Sequence, residues 1–367
     1  MKCIFTGGGT LGHTNPAIAV AEKIRERCND AEIIFIMRKR GAENSAVLKR
    51  GFDVKEICVE GFIRNGKMRD GIRTSTLAIR AIHECIGIIK ETNPSFIFGT
   101  GGYVSFAPMI AGLIKGIPTF VHESNSMPGL VTKMGAKLGA IPLVSTEAAK
   151  KRLKCKKDCN VVGTPLLPYF GAINKEDARR RLRIDENIFF IVSFGGSGGS
   201  KMLNDIITEL MNDRCRSKTN IMQIHATGEK YFKKAEAKYP RLTSRVSEQR
   251  IVSRIEDMPL YMSAADLIIC RCGASTIAEL IAVGRPAILI PSPNVTDNHQ
   301  YENGLSLANL NAAIMLEEKD LTKETLTRKI SLLMQSKQLR KDLEKNLAKL
   351  RKTDSADIIA DILLNSL

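Results

Sequence analysis

The stretch from Leu267 to Glu279 combines residue types that could bind a nucleotide. Leu267–Cys270 is a short apolar run that predicts a buried parallel strand, and helical spacing resumes at Ile277 after several small residues. The N–H groups at such a helix start, together with the helix dipole, favour a bound phosphate. Glu279, about one turn later, could accept hydrogen bonds from ribose hydroxyls. An ordinary strand–helix corner with a surface glutamate is the alternative.

A glycine loop follows the first apolar run of the chain. Gly7, Gly9 and Gly12 have the G-x-G-x-x-G spacing of nucleotide-binding loops, in which a side chain would keep the backbone away from a ligand. His13 comes directly after this loop. Its imidazole can accept a proton near neutral pH, so His13 is a candidate general base; a purely structural histidine is the alternative.

A dinucleotide-binding dehydrogenase would use the same kind of loop. Such an enzyme needs an acidic residue after its second strand to bind the ribose of NAD. That position holds Arg38-Lys39-Arg40. The sequence therefore disfavours NAD but leaves an NADP-dependent oxidoreductase open, because an arginine can bind the extra phosphate.

Four more loops rich in glycine or polar residues follow predicted strands. They are Gly99–Tyr103, His122–Asn125, Gly195–Ser200 and Asp297–Gln300. The carboxyl ends of parallel strands meet at one edge of a sheet, where α/β proteins bind ligands. The amide and imidazole groups of the last loop suit the recognition of sugar hydroxyls.

The elements that must position these loops alternate between strand and helix along the chain. This alternation predicts two doubly wound parallel sheets, each beginning with a strand and a glycine loop. We expect an N-terminal domain over residues 1–160 and a C-terminal domain over residues 161–349. The last helix, about residues 350–367, is expected to pack back on the N-terminal domain.

Composition narrows the class of partner. The chain has 367 residues and a formal net charge of +16, which calls for an anionic partner. Aromatic residues make up only 5% and tryptophan is absent, which disfavours nucleic acid. Nine cysteines without a metal-binding arrangement indicate reduced thiols in a cytosolic protein. No apolar run is long enough to span a membrane.

One basic and apolar region could dock on an anionic membrane. Between Gly61 and Ile89 the arginines and lysines surround isoleucines and leucines, and residues 102–115 add Val104, Met109 and Ile114. A cationic rim around exposed apolar residues binds anionic bilayers. A buried core face with solvated basic residues is the alternative.

These motifs together resemble the MurG family of bacterial glycosyltransferases over nearly the whole chain. The matching residues are Gly8–His13 with Pro16, Gly99–Ser105, His122–Asn125, Gly195–Ser197, Ile255–Met258, Arg271–Ala274, Glu279 and Asp297–Gln300. The resemblance implies a GT-B architecture, with two Rossmann-like domains facing a cleft. It also implies an inverting transfer of N-acetylglucosamine from UDP-GlcNAc to the C4 hydroxyl of a lipid-linked muramyl peptide.

The resemblance assigns roles to individual residues. His13 would be the catalytic base, Glu279 would hold the ribose and the Ile255 backbone would bind uracil. The diphosphate would meet Ser197 and the helix start at Ala274, Ser275 and Thr276, and sugar hydroxyls would meet Asn125, His299 and Gln300. Thr10, Leu11 and Gly12 would also bind the donor, and Gly9, Gly101, Gly102 and Tyr103 would form the acceptor and phosphate loops.

The resemblance also implies partners and a location. The partners would be UDP-GlcNAc, the lipid-linked acceptor, an anionic membrane surface and other enzymes of cell-wall synthesis, at the cytoplasmic face of the cell membrane. No tightly bound cofactor or metal is expected, because a helix dipole can stabilise the departing UDP. The sequence offers no Asp-x-Asp pair near a glycine loop for Mg²⁺.

Two departures from the family pattern leave alternatives open. Leu11 replaces a glycine of the first loop, which would narrow the acceptor side. At the domain junction, Gly163-Thr164-Pro165-Leu166-Leu167 lacks the arginine that reaches the sugar nucleotide in the family. A divergent GT-B transferase with another acceptor is therefore the second hypothesis, and an NADP-dependent oxidoreductase is the third.

Overall fold

The computed structural model describes residues 1–60, 68–196, 198–215, 220–239, 242, 248–352 and 354–366, with only the backbone of 68–75 and 296. The chain forms two compact units. Met1–Leu167 and Asp354–Leu367 make up the first unit, and Pro168–Thr353 makes up the second. No helix in the described part of the chain is both long enough and apolar enough to cross a bilayer.

The first unit is built on seven parallel strands. They are β1 (Lys2–Thr6), β2 (Glu32–Arg38), β3 (Asp53–Ile57), β4 (Phe96–Gly99), β5 (Thr119–Glu123), β6 (Ile141–Val144) and β7 (Asn160–Val161). Their order in the sheet is β3-β2-β1-β4-β5-β6-β7. The order reverses direction between β1 and β4, so the loops after these two strands flank the crevice where doubly wound sheets bind ligands.

Helices cover this sheet. They are α1 (Leu11–Arg27), α2 (Asn44–Leu48), α3 (Met68–Thr92), α4 (Phe106–Ile114), α5 (Leu130–Leu138), α6 (Glu147–Arg152) and, from the end of the chain, α15 (Ser355–Leu364). Ile359 and Leu363 of α15 are fully buried in the same core as α1. Arg27 of α1 pairs with Asp357 at 2.9 Å and with Asp361 at 2.5 Å, so ion pairs also hold α15 on α1.

The second unit repeats the design with six parallel strands. They are β8 (Phe189–Phe194), β9 (Ile221–Ala226), β10 (Gln249–Val252), β11 (Leu267–Cys270), β12 (Ala287–Leu289) and β13 (Ile314–Met315), in the order β10-β9-β8-β11-β12-β13. Its helices are α7 (Lys175–Leu182), α8 (Lys201–Arg214), α9 (Glu229–Lys238), α10 (Met258–Ala264), α11 (Ala274–Val283), α12 (His299–Ala308), α13 (Lys323–Gln335) and α14 (Lys337–Leu350). Two doubly wound parallel sheets, as the sequence predicts, are confirmed.

Details of the units differ from the sequence-based expectation. The junction was expected after residue 160, but β7 pairs with β6, and the first unit continues to Leu167. Leu167 is buried in the core that also holds α15. Val104, in the turn before α4, and Met109, on the face of α4 that packs into the core, were expected on a membrane-facing surface but are buried; that part of the expectation is wrong. Residues 61–67 of the basic region lie outside the described residues.

Candidate active site

His13 lies in the first turn of α1, immediately after the glycine loop that follows β1. Thr10 is the N-cap residue of the helix, and Leu11 and Gly12 are its first two residues. His13 Nδ1 is 3.1 Å from the Thr100 carbonyl oxygen. Because a carbonyl oxygen only accepts, Nδ1 carries the hydrogen and the neutral ring keeps its lone pair on Nε2. This is the tautomer in which Nε2 can accept a proton.

The loop after β4 fixes the position of the His13 ring. Thr100 Oγ1 donates to the His13 carbonyl oxygen at 2.6 Å. Gly101 and Gly102 have φ of 86° and 74°, in the left-handed region that favours glycine. A Cβ on Gly101 would be 3.4 Å from His13 Nδ1, and one on Gly102 would be 3.2 Å from His13 Cδ2. The two glycines therefore let the loop lie directly against the imidazole.

A buried carboxylate that the sequence did not single out holds the first glycine loop. Glu43, just before α2, is only 4% exposed and accepts the Gly9 N–H at 2.7 Å. Arg38 Nε donates to the same carboxylate at 3.3 Å. Burial opposes ionisation of Glu43, but the Gly9 N–H and the Arg38 guanidinium outweigh it and lower its pKa. Glu43 therefore acts as a carboxylate that anchors Gly9, whose φ is 92°.

Tyr103 completes this group. A Cβ on Gly9 would be 3.0 Å from Tyr103 Cε1, so the ring lies over the glycine loop. The structure thus brings together Gly9, His13, Gly101, Gly102 and Tyr103, all of which the sequence proposed as site residues. It adds Thr100 and Glu43, which the sequence missed as site residues because their bonds join loops far apart in the chain.

The loop after β5 lies next along the same sheet edge. The backbone N–H and the Nδ2 of Asn125 both donate to Glu123 Oε1 at 2.9 Å. His122 Nε2 donates to the Gly163 carbonyl oxygen at 2.9 Å, and complete burial lowers the pKa of His122, which therefore stays neutral. Glu123 fixes Asn125 on this rim.

The second unit carries the predicted nucleotide-binding residues on the carboxyl edge of its own sheet. Gly273 is the N-cap of α11 and provides no side-chain cap, and Ala274, Ser275 and Thr276 form the partly exposed first turn. Glu279 is partly exposed, and loss of hydration around its carboxyl raises its pKa to about 8. The turn and the carboxyl lie on one short helix, as the sequence predicts.

Ile255 belongs to the loop between β10 and α10. It is 4% exposed and packs in the core of the second unit. Its side chain is thus committed to the core, so any contact with a base would come from its backbone. Ser197 lies outside the described residues. Its neighbours Gly196 and Gly199 have φ of 82° and 69°, which favour glycine in this loop.

A cavity of about 560 Å³ opens beside this loop within the second unit. Gly195, Ser200, Arg271, Gln300 and Glu318 are among its lining residues. The Arg271 guanidinium is buried, pairs with Glu318, and donates to Ser200 Oγ at 2.5 Å and to the Pro291 carbonyl oxygen at 3.1 Å. Because Glu318 offsets the charge and both terminal nitrogens of the guanidinium donate within the protein, Arg271 holds Ser200 and the loop after β12 in position around the cavity.

Gln300, one of the predicted sugar-binding residues, lines the cavity, and His299 directly precedes it in the chain. Gln300 Oε1 accepts the Ser292 N–H at 2.9 Å, which fixes the amide on the cavity wall. His299 is the first residue of α12 and follows Asp297 and Asn298, both with φ of 51°. Arg271 belongs to one of the sequence motifs, but the sequence did not identify it as a site residue. No sequence pattern pointed to Glu318 as a site residue, because it follows β13, far from Arg271 in the chain.

Among the described residues, no group of three or more His, Cys, Asp or Glu side chains could hold a metal ion. The described cysteines are free thiols. The carboxyl edge of the first sheet therefore carries an imidazole whose Nδ1 is bound to the Thr100 carbonyl oxygen, and that of the second sheet carries a helix start and the Glu279 carboxyl.

Comparison with known proteins gives consistent matches for both halves of the chain. Residues 3–140 match the model of the glycosyltransferase family 28 N-terminal domain, and residues 190–359 match that of its C-terminal domain. A relative from Thermoanaerobacter sp. (strain X514) is 36% identical over 360 residues, 98% of each chain. It is named UDP-N-acetylglucosamine--N-acetylmuramyl-(pentapeptide) pyrophosphoryl-undecaprenol N-acetylglucosamine transferase.

Another relative and a solved structure agree. A protein of Acetivibrio thermocellus with the same name is 36% identical over 374 residues, covering 100% of this chain and 99% of the relative. The crystal structure of Acinetobacter baumannii MurG, 23% identical, superposes with a TM-score of 0.76 and covers 99% of both chains. This likeness confirms the expected GT-B fold.

Proposed function

The chain belongs to glycosyltransferase family 28 and, within it, to the MurG family, and from that membership we propose that it transfers N-acetylglucosamine from UDP-GlcNAc. The acceptor is the C4 hydroxyl of the muramyl sugar in undecaprenyl-diphospho-muramyl-pentapeptide, a step of peptidoglycan synthesis. The observation that carries this proposal is the match over almost the full length to transferases of that name. The NADP-dependent alternative is set aside because both halves match transferase domains.

We assign the general-base role to His13. As the acceptor hydroxyl attacks the anomeric carbon, its proton passes to His13 Nε2, and UDP leaves from the opposite face with inversion of configuration. The hydrogen bond from Nδ1 to the Thr100 carbonyl supports this role, because it keeps the lone pair on Nε2 and stabilises the imidazolium that forms.

We assign nucleotide binding to the second unit. Ala274, Ser275 and Thr276 offer backbone N–H groups at the positive end of α11 to the diphosphate, and Glu279 accepts from the ribose hydroxyls. The helix dipole stabilises the charge that grows on the departing UDP, so we propose that transfer requires no bound metal. Transfer that persists in excess EDTA would agree; loss of transfer on chelation, restored by Mg²⁺, would overturn this point.

We also propose that the protein works at the cytoplasmic surface of the cell membrane. Exposed apolar side chains lie on successive packed helices of the first unit: Ile79 on α3 is 69% exposed, Ile114 on α4 60% and Leu138 on α5 49%. Exposed basic residues accompany them, Arg80, Lys115 and Lys137. Apolar side chains with neighbouring cations suit an anionic bilayer.

A second candidate is a GT-B transferase with another acceptor or donor sugar. The observation that favours it is Leu167, which stands where the family arginine is expected and is buried in the core of the first unit, 5% exposed. The leucine cannot replace the contact that an arginine makes with a sugar nucleotide.

Donor choice separates the two candidates. Labelled UDP-GlcNAc, UDP-GalNAc and UDP-glucose are offered in parallel, with a short-chain lipid-linked muramyl pentapeptide as acceptor. We expect transfer from UDP-GlcNAc alone. Transfer from another donor in preference, or UDP binding without transfer to this acceptor, would favour the second candidate.

A further inference from the structure

Arg38 is the last residue of β2, at the carboxyl end of the first sheet, where the glycine loop after β1 also begins. β1 and β2 pair in parallel with Thr6 opposite Ile36. Two residues beyond this pair, β2 ends at Arg38 while the chain after β1 passes through Gly8. The guanidinium is therefore placed beside the loop that leads to His13. The general-base chemistry does not use this cation.

Two neighbours fix the orientation of the Arg38 side chain. Its Nε donates to Glu43 Oε1 at 3.3 Å, and the Tyr103 side chain lies close to the guanidinium. Glu43 in turn holds the Gly9 N–H. A guanidinium has five N–H donors, more than these two partners use, and the Arg38 side chain is 36% exposed. The group is thus both held in place and open to a ligand.

We propose that Arg38 binds the diphosphate group of the lipid-linked acceptor. This inference rests on the proposed function, in which the acceptor sugar is joined to its lipid through a diphosphate. A planar guanidinium binds phosphate oxygens through paired hydrogen bonds, and the N-terminus of the 17-residue helix α1 adds favourable dipoles at the same edge. Binding of the diphosphate there places the attached sugar close to His13.

Arg38→Met tests this assignment, and Lys39→Met is its matched control, because Lys39 is exposed, adjacent and carries the same charge. A short-chain prenyl diphosphate and the corresponding monophosphate serve as inhibitors competing with the acceptor. We expect Arg38→Met to raise the acceptor KM and the Ki of the diphosphate about 10- to 100-fold. The monophosphate Ki should change much less, and the KM of UDP-GlcNAc and the Lys39→Met values should stay at the wild-type level.

If Arg38 only supported the structure of the loop, the inhibition constants of the three prenyl compounds would change in a different way. Equal losses for the diphosphate, the monophosphate and a phosphate-free prenyl alcohol would overturn the assignment, as would unchanged values for all three. Arg38→Lys, which keeps the charge, should recover part of the diphosphate affinity and serves if Arg38→Met unfolds in a thermal melt. Wild-type protein that does not transfer sugar to the lipid acceptor would overturn the proposed function and this inference with it; normal transfer with an unaffected Arg38→Met variant would overturn the inference alone.

Discussion

His13 shows how one side chain acquires a chemical role from its surroundings. A histidine in the first turn of a helix has two possible neutral tautomers, and either nitrogen could accept a proton. The Thr100 carbonyl oxygen selects one of them, and the glycines at 101 and 102 let this loop approach the ring. The ring is thereby fixed in the tautomer whose lone pair lies on Nε2.

Replacing His13 by alanine removes the proposed base. We expect His13→Ala to lower kcat by about 10²- to 10⁴-fold, while UDP affinity stays near the wild-type value because the nucleotide residues lie in the second unit. The control is His83→Ala, which removes an exposed histidine of α3. Steady-state transfer kinetics and UDP titration measure both quantities. A His13→Ala enzyme with unchanged kcat would remove the imidazole from the mechanism.

Glu279 predicts a pH dependence of donor binding. Its pKa is raised to about 8 in the free protein, so it is largely protonated at neutral pH and becomes a carboxylate as the pH rises through 8. The carboxylate is the stronger acceptor for the two ribose hydroxyls, because the protonated carboxyl turns one oxygen into a donor, and UDP-GlcNAc keeps its phosphate charges throughout this range. We therefore expect affinity for UDP-GlcNAc to increase by up to about eightfold from about pH 7 to about pH 8.5.

Glu279→Gln cannot ionise and serves as the matched variant. It should bind UDP-GlcNAc more weakly than wild type at about pH 8.5, with an affinity that does not vary across the same range. Calorimetric titration at several pH values measures this. A flat profile for the wild type, or the same slope in the variant, would rule out the ribose contact by the Glu279 carboxylate.

At the scale of elements, the strand–loop–helix corners decide where chemistry occurs. β1 and β4 are neighbours in the first sheet, so their glycine loops meet even though many residues separate them in the chain. In the second unit, β8, β11 and β12 are neighbours and bring their loops to one cavity. The glycines allow close approach of backbone to side chain at these corners.

Gly102→Ala tests the role of the second glycine loop. An added methyl group would lie 2.2 Å from the Gly8 carbonyl oxygen and 3.2 Å from His13 Cδ2, so the two glycine loops must move apart; this should displace the imidazole and lower kcat at least tenfold. Gly116→Ala is the matched control, because Gly116 also has a positive φ, 70°, but nothing lies within 4 Å of its added Cβ. We expect Gly116→Ala to cost about 1–2 kcal/mol of stability and to leave kcat unchanged. Equal kcat values for the two variants would contradict the proposal that the loop at Gly101 and Gly102 holds the His13 ring in position.

The sequence predicts those parts of the fold and site that depend on local pattern. Apolar runs followed by glycine loops identify the strands and the loops around His13 and Ala274. Glu43 and Glu318 could not be found this way, because their partners Gly9 and Arg271 come from distant segments that only the folded sheets bring close. Val104 and Met109 show another limit: an apolar helix face that packs on a sheet has the same periodicity as one that faces a membrane.

The whole molecule carries a formal net charge of +16 and consists of two units with different chemical features. The proposed base and the apolar side chains of the proposed membrane surface, Ile79, Ile114 and Leu138, lie in the first unit, and the proposed nucleotide residues lie in the second. A cationic protein is attracted to anionic lipid, and this attraction weakens with salt because the interacting charges are exposed.

Binding to vesicles tests the membrane proposal. We expect cosedimentation with vesicles that contain anionic lipid, much weaker binding to neutral vesicles, and release by high salt. Ile114→Gln should reduce binding several-fold, since it removes an exposed apolar contact, whereas Leu310→Gln, at a 53% exposed position of the second unit, should not. Binding that ignores lipid charge, or equal effects of both substitutions, would contradict the proposed surface.

The central claim is that this chain joins N-acetylglucosamine to the muramyl C4 oxygen with inversion. The most direct measurement is the structure of the product made by wild-type protein from UDP-GlcNAc and the lipid-linked muramyl pentapeptide, by mass spectrometry and proton NMR. We expect the mass of one added N-acetylhexosamine and a β linkage to C4, because the sugar is α-linked in UDP-GlcNAc. An α linkage, attachment at another oxygen, or the release of free sugar without any lipid-linked product would contradict the account.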